Sequence, residues 1–157
     1  MRFLVDTAVA FRGRLLIVGS ILFAESDEET RERLGAALEA AGHEVILAFT
    51  TSEAFLRISE GGIDLIVVDS HDPRTGLVEL ARNMNALPDA PPIVLVSSSP
   101  FAPEISARIG AAAFLTKPCD PSDLVAVVGR HVGEVRPVRV IEDFGDDEPT
   151  GPARQFG

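Results

Sequence analysis

From Ile21 onward, apolar runs without polar alternation trade places with segments of helical spacing. The run "SILFAE" reads as a buried strand, and "SDEETRERLGAALEAAG" sets Leu34, Ala37, Leu38 and Ala41 on one helical face. Ser26 and Glu29 form a capping-box pattern at its start, and Gly42 is the stop. "EVILAF" predicts the next strand, "TSEAFLRISEGG" a short helix closed by glycines, and "DLIVVDS" another continuous apolar run. "GLVELARNMNAL" then places Leu77, Leu80, Ala81 and Met84 together on a helix. "PIVLVSS", a short helix near Glu104 to Ile109, "AAFLTK" and a helix from about Pro121 to Val132 complete the series, with Asp120 as cap and Pro121 as first helical residue.

Apolar strands each followed by a helix predict an α/β fold: a doubly wound, five-stranded parallel sheet covered on both faces. Such sheets bind ligands outside the carboxyl ends of their strands. The unit spans 15–134. Residues 1–14 form an extension of open status, either an extra strand or pairing segment or an upstream addition to the frame. Residues 135–157, rich in Gly, Pro and acids, are expected to be a disordered tail.

Charge narrows the function. Against 14 Lys plus Arg stand 24 Asp plus Glu, a net charge of −10, which argues against direct binding to a phosphate backbone. One cysteine, Cys119, excludes an internal disulfide framework and fits a reducing cytoplasm. Arg12 and Arg14 precede "LLIVGSILFA", which has the length of a signal-peptide core and is too short for a bilayer; its second half is needed as a strand, so neither secretion nor membrane insertion is expected. A dinucleotide-binding enzyme is disfavoured too, because "IVGSILFAES" lacks the glycine-rich turn that brings a helix N-terminus to a pyrophosphate.

Collected at the strand ends are Glu25, Ser26 and Asp27, then Asp69, then Ser97 and Ser98, and finally Lys117–Pro118. A carboxylate nucleophile, acids for Mg2+, and a hydroxyl and lysine for phosphate oxygens are the parts needed to accept a phosphoryl group. In order, spacing and the ending "FLTKPCDPSDL", the stretch from Ile21 to about Val132 resembles the receiver domain of bacterial response regulators, a flavodoxin-like (βα)5 fold of two-component signalling. The resemblance implies Asp69 as phosphoacceptor, Ser97 as switch hydroxyl, Phe114 as switch aromatic, Lys117 as phosphate-pairing lysine and a cis Lys117–Pro118 bond. Because one or two carboxylates with phosphate and water can hold Mg2+, Glu25 and Asp69 remain candidate ligands, with Asp27 either a substitute for the acid missing at Ser26 or simply a helix cap; a histidine kinase is the partner the resemblance implies.

Departures from the family pattern point to an atypical, pseudo-receiver variant. The acidic pair reads Glu25–Ser26, so the acid that the resemblance assigns to direct metal binding is missing. The loop "DSHDPRTGL" and the segment from Ser97 to Lys117 are both shorter than usual, the latter at the expense of the fourth helix or its leading loop. No DNA-binding or enzymatic output domain is expected after this unit. The expectation is therefore a stand-alone module that acts through protein contacts at the fourth helix, last strand and last helix, not as an enzyme, with Mg2+ binding weakened by Ser26. The alternative is a working phosphoacceptor that takes a phosphoryl group on Asp69 and autodephosphorylates. His71 could tune water access there, His43 and His131 read as exposed helix-end residues, and Cys119 as a packing residue. The sequence leaves the oligomeric state open.

Overall fold

A computed structural model describes residues 8–11, 14–69 and 76–132, with side chains described from residue 18 onward. Along the chain come β1 (Ala8–Phe11), β2 (Arg14–Ile17), β3 (Ser20–Ala24), α1 (Glu28–Ala40), β4 (Glu44–Ala48), α2 (Thr51–Ser59), β5 (Leu65–Asp69), α3 (Val78–Asn85), β6 (Ile93–Ser97), α4 (Ala102–Ile109), β7 (Ala113–Thr116) and α5 (Pro121–His131). Strands β3 to β7 form one five-stranded sheet in the order β4-β3-β5-β6-β7, every pairing parallel. The order reverses at β3, which places a topological switch point, and a crevice, at the carboxyl ends of β3 and β5.

The period of two along each strand divides the core. Leu22, Ile66, Val68, Ile93 and Leu95 face α2, α3 and α4, packing on Ala54, Ile58, Leu80, Met84 and Ile105. Ile21, Phe23, Leu65, Val67, Val94 and Val96 face α1 and α5, meeting Leu34, Leu38, Leu124 and Val128. Both faces of β3, β5 and β6 are therefore covered, which is why their sequences show no polar alternation. The edges differ: β4 and β7 are partly exposed although their sequences are as apolar as those of the central strands.

Helix ends follow local chemistry. Asp120 caps α5 by accepting the Ser122 N–H, and Thr50 caps α2 by accepting the Glu53 N–H. At α1 the expected Ser26–Glu29 capping box is replaced: Asp27 is the N-cap, extended at φ −78 and ψ 119, and its carboxylate accepts the Thr30 N–H. Gly42, with φ +103, turns the chain out of α1 as expected. The fourth helix is a full eight residues, longer than its sequence pattern implied.

Within residues 8–17 two strands pair with each other. β1 and β2 form an antiparallel hairpin from Ala8↔Ile17 to Phe11↔Arg14, a two-stranded sheet separate from the parallel one and crossing the boundary placed after residue 14. The rest of the extension, residues 70–75 with His71, and the acidic tail lie outside the described residues. Among the described residues no helix is long and apolar enough to cross a membrane.

Candidate functional site

Strand parity explains which side chains meet. Glu25 continues the parity of Ile21 and Phe23, Asp69 that of Leu65 and Val67, and Lys117 that of Ala113 and Leu115, all on the α1–α5 side. Ser97 has the opposite parity, that of Ile93 and Leu95. Because β7 lies two strands from β5, roughly 10 Å at the usual spacing, a long side chain is needed to cross the end of β6. Lys117 makes that crossing.

Its ammonium Nζ lies 2.9 Å from Glu25 Oε1 and 3.3 Å from Asp69 Oδ1. The Glu25 side chain is only 1% exposed, that of Asp69 7% and that of Lys117 19%. At 2.9 Å the ammonium is the charged partner of the buried Glu25 Oε1. Glu25 Oε2 is fixed separately by the Asp27 backbone N–H at 3.0 Å. Burial works against the charge on Lys117, but the hydrogen bond to Glu25 and the charges of Asp69 and Glu25 outweigh it and raise the lysine pKa. The lysine is thus held as a cation, and an open cleft of about 260 Å³ lined by Thr30, Arg33, Ser98 and Cys119 among others adjoins it.

The other candidates stand around this core. Ser97 is fully buried at the end of β6, and its Oγ accepts the Ser99 N–H at 2.9 Å. The Lys117 N–H donates to Ser97 O at 2.8 Å, tying the ends of β6 and β7 together, and the Lys117–Pro118 bond is cis, as the resemblance implies. Phe114 on β7 is partly exposed, while Ser26 and Ser98 face solvent. Asp27 spends its carboxylate on the helix cap, where the Thr30 hydrogen bonds lower its pKa. Cys119 is buried, its thiol pKa raised by that burial, and Arg33 donates to its carbonyl, which fits a packing residue.

Arg31 was not singled out from sequence. Its Nη1 donates to the carbonyls of Glu25 at 3.0 Å and Ser26 at 3.3 Å, and its guanidinium stacks over Phe49 at 4.6 Å. An arginine one turn into a helix that begins at a strand end was the available signal. His43 corrects the sequence reading: it is buried, not exposed, and its Nδ1 accepts the Gly19 N–H at 3.2 Å. His131 ends α5 half-buried.

A divalent cation fits this donor set poorly. Mg2+ needs near-octahedral oxygens, whereas both Glu25 oxygens are engaged, Ser26 offers no carboxylate, and Lys117 already sits against Asp69. Among the described residues no three of His, Cys, Asp and Glu gather as metal ligands.

The family model for the response regulator receiver domain matches residues 21–129. The chain belongs to this family. The receiver is 32% identical over 134 residues to the DNA-binding transcriptional regulator NtrC of Rhizobium meliloti, covering 83% of this chain and 28% of that protein. It is 34% identical over 111 residues to the phosphate regulon transcriptional regulatory protein PhoB of Pseudomonas aeruginosa, covering 68% of this chain and 48% of the relative. The chain thus matches from about a quarter to a half of the length of these relatives. Among solved structures, the signal receiver domain of a histidine kinase from Syntrophus aciditrophicus aligns with TM-score 0.63 and 31% identity over 71% of this chain and 88% of that one. A CheY-like receiver domain protein from Methanospirillum hungatei aligns with TM-score 0.64 and 25% identity over 72% and 92%. The five parallel strands and five helices are the receiver fold.

Proposed function

We propose that this receiver domain signals through protein contacts in the cytoplasm, with phosphorylation of Asp69 weak or absent. The observation that carries this reading is the position of Lys117 between Glu25 and Asp69. Opposite unit charges about 4 Å apart attract by roughly 4 kcal/mol at an effective dielectric of 20, so the lysine supplies from within the chain the positive charge that the acids require. Receiver domains bind Mg2+ at their acidic phosphorylation site; here an incoming ion must displace an ammonium and do so without an acid at Ser26. The signalling surface in this reading is α4, β7 and α5, where Phe101 and Phe114 are exposed. At a net charge of −10 the unit is not proposed to bind nucleic acid itself.

The second reading, a phosphoacceptor served by a histidine kinase, is favoured by Asp69 at the end of β5 with the lysine 3.3 Å away. An amide NMR titration separates the two, first with Mg2+ and then with Mg2+ plus beryllofluoride, a mimic of an aspartyl phosphate. No saturable shift at millimolar Mg2+ is expected. Shifts that saturate around Asp69 and spread to Ser97, Phe114 and Lys117 would establish the second reading.

A further inference from the structure

Strand β4 ends the sheet order, and no strand pairs with its outer edge among the described residues. Natural edge strands are blunted by Lys, Pro or a bulge, since an apolar open edge is a template for another strand. β4 has none of these: Val45 to Phe49 is an unbroken apolar run that pairs with β3 in regular register. Leu47 is 39% exposed and Phe49 53%, and the adjoining α2 adds Leu56 at 64%.

The hairpin presents the complementary problem. A lone two-stranded hairpin is marginal in water. Its strands, "AVAF" and "RLLI", lack the alternation that gives an antiparallel sheet a solvated face. Among the described residues, the main neighbour of each hairpin strand is the other.

We infer that the β1–β2 hairpin of one copy adds to the free edge of β4 in a second copy, reciprocally, forming a two-fold dimer. The chain's own edge is out of reach. Gly19 is held in line with β3 by donating to His43 Nδ1 and accepting the Glu44 N–H at 3.0 Å, so only Val18 is left as a joint between the hairpin and the sheet. One residue spans about 3.5 Å, too little to reverse direction and pass around β4. Across a two-fold axis the geometry is favourable, because β3 and β4 start side by side at Ser20↔Glu44 and donor and acceptor therefore lie at the same end of each copy. The lengths agree: four residues per hairpin strand against five in β4, roughly 13 and 17 Å. Charge also agrees, since residues 8–17 carry Arg12 and Arg14 with no acid, while residues 44–60 carry Glu44, Glu53 and Glu60 against Arg57.

Size-exclusion chromatography with light scattering on the full chain tests this. A dimer is expected for the wild type, and monomers for both Leu47→Lys on β4 and Val9→Pro in β1, each with an unchanged circular dichroism spectrum of the parallel-sheet unit. Phe101→Lys at the N-cap of α4, away from both segments, should remain dimeric. In the unmodified chain, amide exchange in β1 and in β4 should slow together as concentration rises, a measurement that needs no variant to fold. A wild type that is monomeric at all concentrations, a dimer that survives either edge variant, dissociation by Phe101→Lys, or protection of β4 without β1 would each overturn the inference.

Discussion

Lys117 stands closer to Glu25 than to Asp69, with its ammonium 2.9 Å from Glu25 Oε1 and 3.3 Å from Asp69 Oδ1. Glu25 is almost entirely removed from water, so its charge depends on partners inside the protein. Its extra methylene relative to aspartate helps Oε1 reach the lysine while Oε2 stays on the Asp27 N–H.

Removing the cation should be expensive. Lys117→Met leaves buried acid charge uncompensated, and breaking a buried pair costs about 3–5 kcal/mol. With part of the lysine open to solvent, the lower end, about 3 kcal/mol, is expected in urea unfolding at neutral pH. A loss under about 1 kcal/mol, the range of surface pairs, would show that the contact is inconsequential.

Restoring an acid should restore metal sensitivity. Ser26→Asp adds a carboxylate beside Glu25, and a ligand present at 100 times its Kd stabilises the folded state by about 2.7 kcal/mol. Saturating Mg2+ is expected to raise the melting temperature of Ser26→Asp and to leave that of the wild type in place. Equal responses would mean that Ser26 is not what limits binding.

Asp69→Ala removes the candidate phosphoacceptor and one of the two carboxylates at Lys117. In the proposed reading it leaves partner capture and cellular phenotype largely intact. Loss of binding by a variant whose fold is unchanged would count decisively for a phosphorylation-dependent switch.

His43 makes stability depend on pH. Burial lowers its pKa below 6.5, so the unfolded chain binds a proton more readily than the folded one. Stability therefore rises with pH across this window. The contribution is complete above the unfolded value of 6.5 and is lost as pH falls from there toward the lowered folded value. Chemical denaturation between about pH 7.5 and 5.5 should show this loss, and His43→Gln, which retains an acceptor for the Gly19 N–H, should flatten it. An unchanged slope in the variant would assign the acid sensitivity to other groups.

Gly19 packs where no side chain fits. A Cβ there would lie 2.6 Å from Asp64 Oδ2 and 2.9 Å from Val132 Cγ2. Asp64 Oδ2 also accepts the Ser20 N–H at 2.8 Å, so it cannot shift without losing that bond. Gly19→Ala is expected to destabilise by about 1–3 kcal/mol, measured by thermal or urea unfolding. A neutral or stabilising result would show that this end of the sheet is loosely packed.

Much of the architecture was legible because it rests on short-range pattern. The continuous run Leu65 to Val68 announces a strand buried on both faces, and Asp120–Pro121 announces a helix start. The exposure of β4 was not legible, since an apolar edge strand and an apolar central strand read alike. The α1 cap was legible only as a choice: Ser26 and Asp27 are both good N-caps, and Asp27, extended as the chain leaves β3, takes the role. His43 looked exposed because it follows a helix stop; its burial depends on Gly19, 24 residues away in sequence.

The strand-end set Glu25, Asp69, Ser97 and Lys117 is a property of the sequence, since periodicity and strand length fix which residues end each element. Which atoms meet is a property of the folded chain. The order β3-β5-β6-β7 determines that Lys117 must cross the end of β6 to meet Asp69 and Glu25. Likewise, Arg31 closes over the carbonyls of Glu25 and Ser26 only once α1 is docked beside Phe49. Local pattern reaches across one element; charge pairing and desolvation act between residues that the pattern leaves nearly a hundred positions apart, and only folding sets those distances.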